Sequence, residues 1–227
     1  MRIESRIESG YFRQNAAALQ DLAAAFAAPD GAPVADPNDT EWRSYYGALL
    51  AYRLALLAKQ DTTRAWPLAQ RCRDRLDRVH AIDAGSAEAL ALQSACLALQ
   101  TRLDPWRSPL AGPLSLARSD RALTLAPDNP RVLLLGALAA RDRPRLFGGN
   151  RQRAFELMQR AVSAFERQRG RPRGMPGWGA ADAFTDLARD YLTRGKAVAA
   201  RNVLERALLV APDFAQARQL MAQIVSG

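Results

Sequence analysis

Apolar residues recur along this chain at three- and four-residue steps, with charged positions between them. That period is helical, and it predicts an all-α protein of about ten helices. The first runs over 15–28, with Leu19, Leu22 and Phe26 on one face. Thr40 is read as the cap of a second helix reaching residue 59 through Trp42, Tyr45, Tyr46, Leu49, Leu50, Leu54 and Leu57. Helices follow over 63–82, 86–102 (capped by Ser86) and 110–125. Asn129-Pro130, a cap followed by proline at the first helical position, opens the sixth. Asn150 caps the seventh, which ends near Arg167. A helix pair ending at Pro212 and a closing helix over 214–225 complete the chain. Proline- and glycine-rich stretches at 29–39, 103–109 and 170–179 read as loops.

The helices pair into repeats once insertions are allowed. Small residues form a first column at Gly47, Ser94, Gly136 and Ala188, and a second at Cys72, Ser115, Ala154 and Ala200. A third column holds Val79, Ala122, Ala161 and Ala207. The first two columns stand 25, 21, 18 and 12 residues apart. In the last pair Phe184, Leu187, Ala188, Tyr191, Ala200, Leu204 and Pro212 follow the tetratricopeptide pattern without insertion. Small residues let two helix backbones approach, large ones fill the space around them, and Gly195 and Pro212 end the helices. This resemblance implies one domain over 1–227, a superhelical array of antiparallel helix pairs. It comprises an N-terminal helix and loop (1–39), four expanded repeats (40–213) and a C-terminal capping helix (214–227).

Longer signatures point the same way. Asp128-Asn129-Pro130-Arg131, Phe147-Gly148-Gly149 and Pro176-Gly177-Trp178-Gly179, in that order, resemble bacterial tetratricopeptide-like proteins with expanded repeats. The chain is more distantly similar to the T component of TRAP transporters, a helical periplasmic lipoprotein that docks a substrate-binding protein. These resemblances imply a non-enzymatic interaction module. The alternative they imply is an extracytoplasmic accessory protein with an apolar ligand in a central channel.

Composition bounds the partners. The net charge is +9, and Lys59 and Lys196 are the only lysines among 32 basic residues. Such a surface suits an acidic protein or peptide, and no RNP, zinc-finger or dsRBD pattern supports nucleic acid. No apolar run reaches the ~18 residues that span a membrane. Residues 1–15 carry Glu4 and Glu8 and no apolar core, so the chain reads as cytoplasmic as written, or periplasmic if Met1 marks a processed form.

No catalytic constellation, metal motif or cofactor loop emerges. His80 is the sole histidine, without a nucleophile beside it in sequence. Cys72 and Cys96 fall on the apolar stripes of two consecutive helices, equidistant from the turn between them. They are disulfide candidates, or two reduced residues filling small core positions. The inner wall of the middle repeats is read as an apolar groove of Ala91, Ala95, Ala98, Leu133, Ala137 and Ala140. Either the 15–28 helix fills it or a ligand or amphipathic helix does. Partner contacts are assigned to Arg167, Arg169, Arg171 and Arg173 around the 170–179 loop, to Arg189, and to Trp178. Trp106 and Trp178, both in loops, either plug a core edge or stand exposed as contact points.

Overall fold

A computed structural model describes residues 3–27, 37–83, 85–107, 110–168 and 177–226. Among the described residues there are α-helices and one 3-10 turn, Arg145–Phe147, and no strand. The chain forms two compact units, Met1–Ala126 and Pro127–Gly227.

The first unit holds α1 (Ile3–Phe12), α2 (Ala16–Ala27), α3 (Pro37–Leu57), α4 (Thr62–Ile82), α5 (Ala87–Leu103) and α6 (Ala111–Leu125). From α3 onward each helix packs on its successor, while α1 and α2 pack on each other and on α3. The pairing is antiparallel, since Cys72 meets Cys96 and Asp77 meets Gln93. In the α5–α6 pair two small residues of the repeat columns touch. Ser94 Oγ donates to the Ser115 carbonyl at 2.8 Å, and Ser115 Oγ donates to the Ser94 carbonyl at 2.9 Å. Each hydroxyl, buried between the helices, thus finds an acceptor on the partner helix.

The second unit holds α7 (Pro130–Asp142), α8 (Arg151–Arg167), α9 (Ala180–Thr193), α10 (Ala197–Val210) and α11 (Ala215–Ser226). Here too consecutive helices pack in pairs. Asn129 and Asn150 cap α7 and α8 as expected, each side chain accepting from two backbone amides of the first turn. Gly195, at φ 70°, closes α9. The Lys196 amide returns to Tyr191 and the Gly195 amide to Leu192, the paired bonds that satisfy the last carbonyls of a helix. All twelve residues of the three repeat columns are buried.

Two boundaries differ from the sequence expectation. α3 starts at Pro37, so Thr40 lies inside it rather than at its cap, because proline takes the first helical position at no hydrogen-bond cost. α1 is a helix where none was expected. Its stripe is short, with Ile7, Gly10 and Tyr11 the buried positions, and its acids Glu4 and Glu8 accept hydrogen bonds from α3. The turn after it places Gln14 at φ 54° and lets Asn15 cap α2 by accepting from the Ala18 amide.

A candidate ligand-binding cleft in the first unit

The cleft begins with how α1 and α2 are held. Glu8 accepts two hydrogen bonds from Arg53 of α3, at 2.8 and 3.1 Å, and Arg53 is 3% exposed. The same guanidinium lies 4.1 Å from the Tyr11 ring centroid. Tyr46 donates to Glu4 at 2.8 Å. A Cβ on Gly10 would stand 2.7 Å from Leu19, so that glycine is what lets α1 and α2 close. Leu19 and Leu22 are buried, which makes α2 part of this unit's core. The Phe26 side chain lies outside the described residues.

Beside this frame α2, α3 and α4 enclose a cleft of 460 Å³. Its apolar lining is Pro67 and Leu68 of α4 and Ala23 of α2, which keep accessible surface, with the buried Leu50, Ala51 and Leu54 of α3. Its polar wall is Gln70, Arg71, Asp74, Arg75 and Arg78, all from α4. At the α3–α4 notch a long side chain of the cleft's lining lies over a glycine. A Cβ on Gly47 would sit 2.6 Å from Arg75 Nη1, so the bare glycine backbone accommodates that guanidinium.

The neighbouring stripe of α4, Cys72, Leu76 and Val79, is fully buried. Cys72 and Cys96 have Cα atoms 6.2 Å apart and are bonded as a disulfide that ties α4 to α5. Further along, Asp77 accepts from Gln93 Nε2 at 2.7 Å. Asp77 is therefore engaged across the helix pair rather than within α4. Beside them lies His80, whose two ring nitrogens are buried without a hydrogen bond of good geometry. Burial first, and the Arg118 charge second, hold its pKa below the ordinary 6.5, against the opposing pull of Asp77, the Asp83 backbone and Gln93. His80 lies in the last turn of α4, half-buried as a residue.

The groove residues named from sequence belong to separate units. Ala91, Ala95 and Ala98 lie on α5 of the first, with Ala91 buried and the other two half-buried. Leu133, Ala137 and Ala140 lie on α7 of the second and are all buried. Buried side chains have no free surface to offer, so four of the six residues do not line an open wall. Trp178 is 2% exposed, a core plug rather than a contact point. Its neighbour Gly179, at φ 98°, has room for a Cβ only at 3.1 Å from Leu134 and Phe165. Trp106, by contrast, is 92% exposed.

Arg189 is engaged within its own unit. It donates to Asp186 at 2.7 Å and to Gln216 at 2.6 Å. Arg141 also reaches Asp186, at 3.1 Å, and that carboxylate with Asp142 pushes the Arg141 pKa upward despite burial. Burial likewise raises Asp190, the chief cause of its shift. Arg167 is exposed at the end of α8, while Arg169, Arg171 and Arg173 lie outside the described residues. Sequence reasoning passed over Arg71, Arg75 and Arg78. Their signal was present: three arginines at i, i+4 and i+7, on the helix pair that carries a mid-helix glycine.

Among the described residues no group of three or more His, Cys, Asp or Glu side chains is placed to hold a metal ion. No described helix is long and apolar enough to cross a membrane.

No family model matches the chain, and no curated protein matches it. Among solved structures it is similar to the HusA haemophore from Porphyromonas gingivalis. The two share 21% identity at a TM-score of 0.63, over 84% of this chain and 92% of that one. At that identity the likeness speaks for the all-helical fold.

Proposed function

We propose that this chain is a non-enzymatic binding protein whose first unit holds a small, partly apolar ligand in the α2–α3–α4 cleft. The observation that carries the reading is the cleft itself. Its 460 Å³ falls within the range of small-molecule sites, and its lining combines apolar and charged side chains. The fold shared with a haemophore is consistent with ligand carriage. Haem itself is a poor match for this cleft. Haem iron takes His, Cys, Met or Tyr donors, and none of the lining residues is of those types. The buried disulfide favours an oxidising compartment, and with it the extracytoplasmic form of the reading.

A second reading, docking of a partner protein by a tetratricopeptide-like scaffold, has one observation in its favour. Trp106, Leu110 and Leu114 are exposed around the start of α6, and exposed tryptophan is enriched at interface hot spots.

The cleft reading is tested by hydrogen exchange on the full chain with a panel of twelve-carbon alkyl ligands of different head groups. A ligand that fits should protect amides of α3 and α4, and Ala23→Trp, which fills the cleft from α2, should abolish that protection. Unchanged exchange with every head group would overturn the reading.

A further inference from the structure

We infer that the cleft selects an anionic amphiphile: a carboxylate or phosphate head on an apolar body, with the head at Arg71. This rests on the cleft being a ligand site, and it adds the charge of what enters.

Pro67 and Leu68 of α4 and Ala23 of α2 provide accessible apolar surface that methylene or ring carbons bury against, while Leu50 and Leu54 are buried. Arg71, Arg75 and Arg78 recur along one face of α4, Arg71 one turn beyond Pro67 and Leu68. One carboxylate shares that wall, Asp74, and it is taken by a residue outside the cleft. Arg73 donates to Asp74 Oδ1 through Nη2 at 2.8 Å and Nε at 3.1 Å. That carboxylate is therefore paired, through Oδ1, with a side chain outside the cleft in an exposed bridge. Arg75 is positioned across Gly47. Arg71 is exposed and makes no hydrogen bond or ion pair among the described residues.

A planar guanidinium offers paired donors that match carboxylate or phosphate oxygens, in bonds stronger than those between neutral groups. A neutral head gains no such bond and competes with water for the same donors. A cationic head meets the like charge of Arg71. The geometry thus ranks head groups by charge, whatever the apolar body.

Isothermal titration of the full chain with dodecanoate, dodecyl phosphate, dodecanol and dodecylammonium, each below its micelle concentration, separates the possibilities. Both anions should bind. The alcohol should bind about tenfold more weakly, the scale of one charge-assisted hydrogen bond, and the ammonium more weakly still. Arg71→Glu, at an exposed site, should keep the native melting transition, weaken both anions about tenfold or more, and leave the alcohol unchanged. The ratio of the two anions in the native chain distinguishes a carboxylate from a phosphate ligand. Equal binding of all four heads, insensitive to Arg71→Glu, would overturn the charge inference while leaving the cleft a ligand site. Failure of all four to bind would overturn both.

Discussion

In the α9–α10 pair, two 14-residue helices carry Ala188 and Ala200, both fully buried, and the pair closes. In the α3–α4 pair, two 21-residue helices carry the equivalent notch at Gly47, and Arg75 lies across it. A cleft of 460 Å³ stands beside that second pair. The same column of small residues thus has different neighbours. Alanine at both column positions adds only a methyl group to each backbone, and both methyl groups are fully buried. At Gly47 the bare backbone instead accommodates a charged side chain that also lines the cleft.

Both units carry polar ties between helices. The first has Arg53–Glu8 and Tyr46–Glu4, and adds the Cys72–Cys96 disulfide. The second has Asp186 held by Arg141 and Arg189, with Arg189 also on Gln216, and no cysteine.

The largest expected effect is at the tie between α1 and α3. Arg53→Ala leaves Glu8, itself mostly buried, without its partner, and should cost about 3 kcal/mol or more. Urea unfolding monitored by hydrogen exchange should show the loss in α1–α4 and spare α9–α10. Equal loss in both units would erase the distinction between them.

Next is the disulfide. Cys72→Ser with Cys96→Ser opens a loop of sequence separation 24, and should remove about 3 kcal/mol from the first unit. The second unit has no cysteine, so its exchange protection should stay as it was.

Overpacking the closed pair comes third. Ala200→Leu should cost about 1–3 kcal/mol of second-unit stability, measured by the denaturation midpoint. A neutral outcome would mean that α9 and α10 have slack, against the reading of a closed pair.

Acid adds a test specific to the first unit. His80 has a folded pKa below its ordinary 6.5, so between the two values the unfolded chain holds more protons. First-unit stability should therefore be full above about pH 6.5 and decline as pH falls toward the folded value. His80→Leu should flatten that slope; a slope unchanged in the variant would assign it to other groups.

The smallest change sharpens the comparison most. Gly47→Ala puts a Cβ 2.6 Å from Arg75 Nη1, the far end of a flexible side chain. Helix propensity favours alanine by about 1 kcal/mol, so net stability should stay within about 1 kcal/mol of native. A loss as large as that of Ala200→Leu would show Arg75 to be pinned and the cleft to be rigid.

Much of the helical layout was legible before any coordinates. Caps at Asn129 and Asn150, stops at Gly195 and Pro212, and the three small-residue columns are local or periodic signals, and the structure buries every column residue. The failures share a cause. α1 carries little apolar surface, so its helix depends on partners some forty residues away, Tyr46 and Arg53. Trp106 and Trp178 look alike in sequence, two loop tryptophans. One is exposed and one is buried because Gly179 admits a tight turn against Leu134 and Phe165.

What the sequence alone determined is helix content, pairing and register, because capping and 3.6-residue periodicity act between near neighbours on the chain. What tertiary structure decided is where space remains. Gly47 under Arg75 belongs to the cleft's lining, and Cys72 with Cys96 ties α4 to α5. Whether a notch is filled by a methyl group or a guanidinium depends on which side chain arrives across the interface, and distance in space sets that.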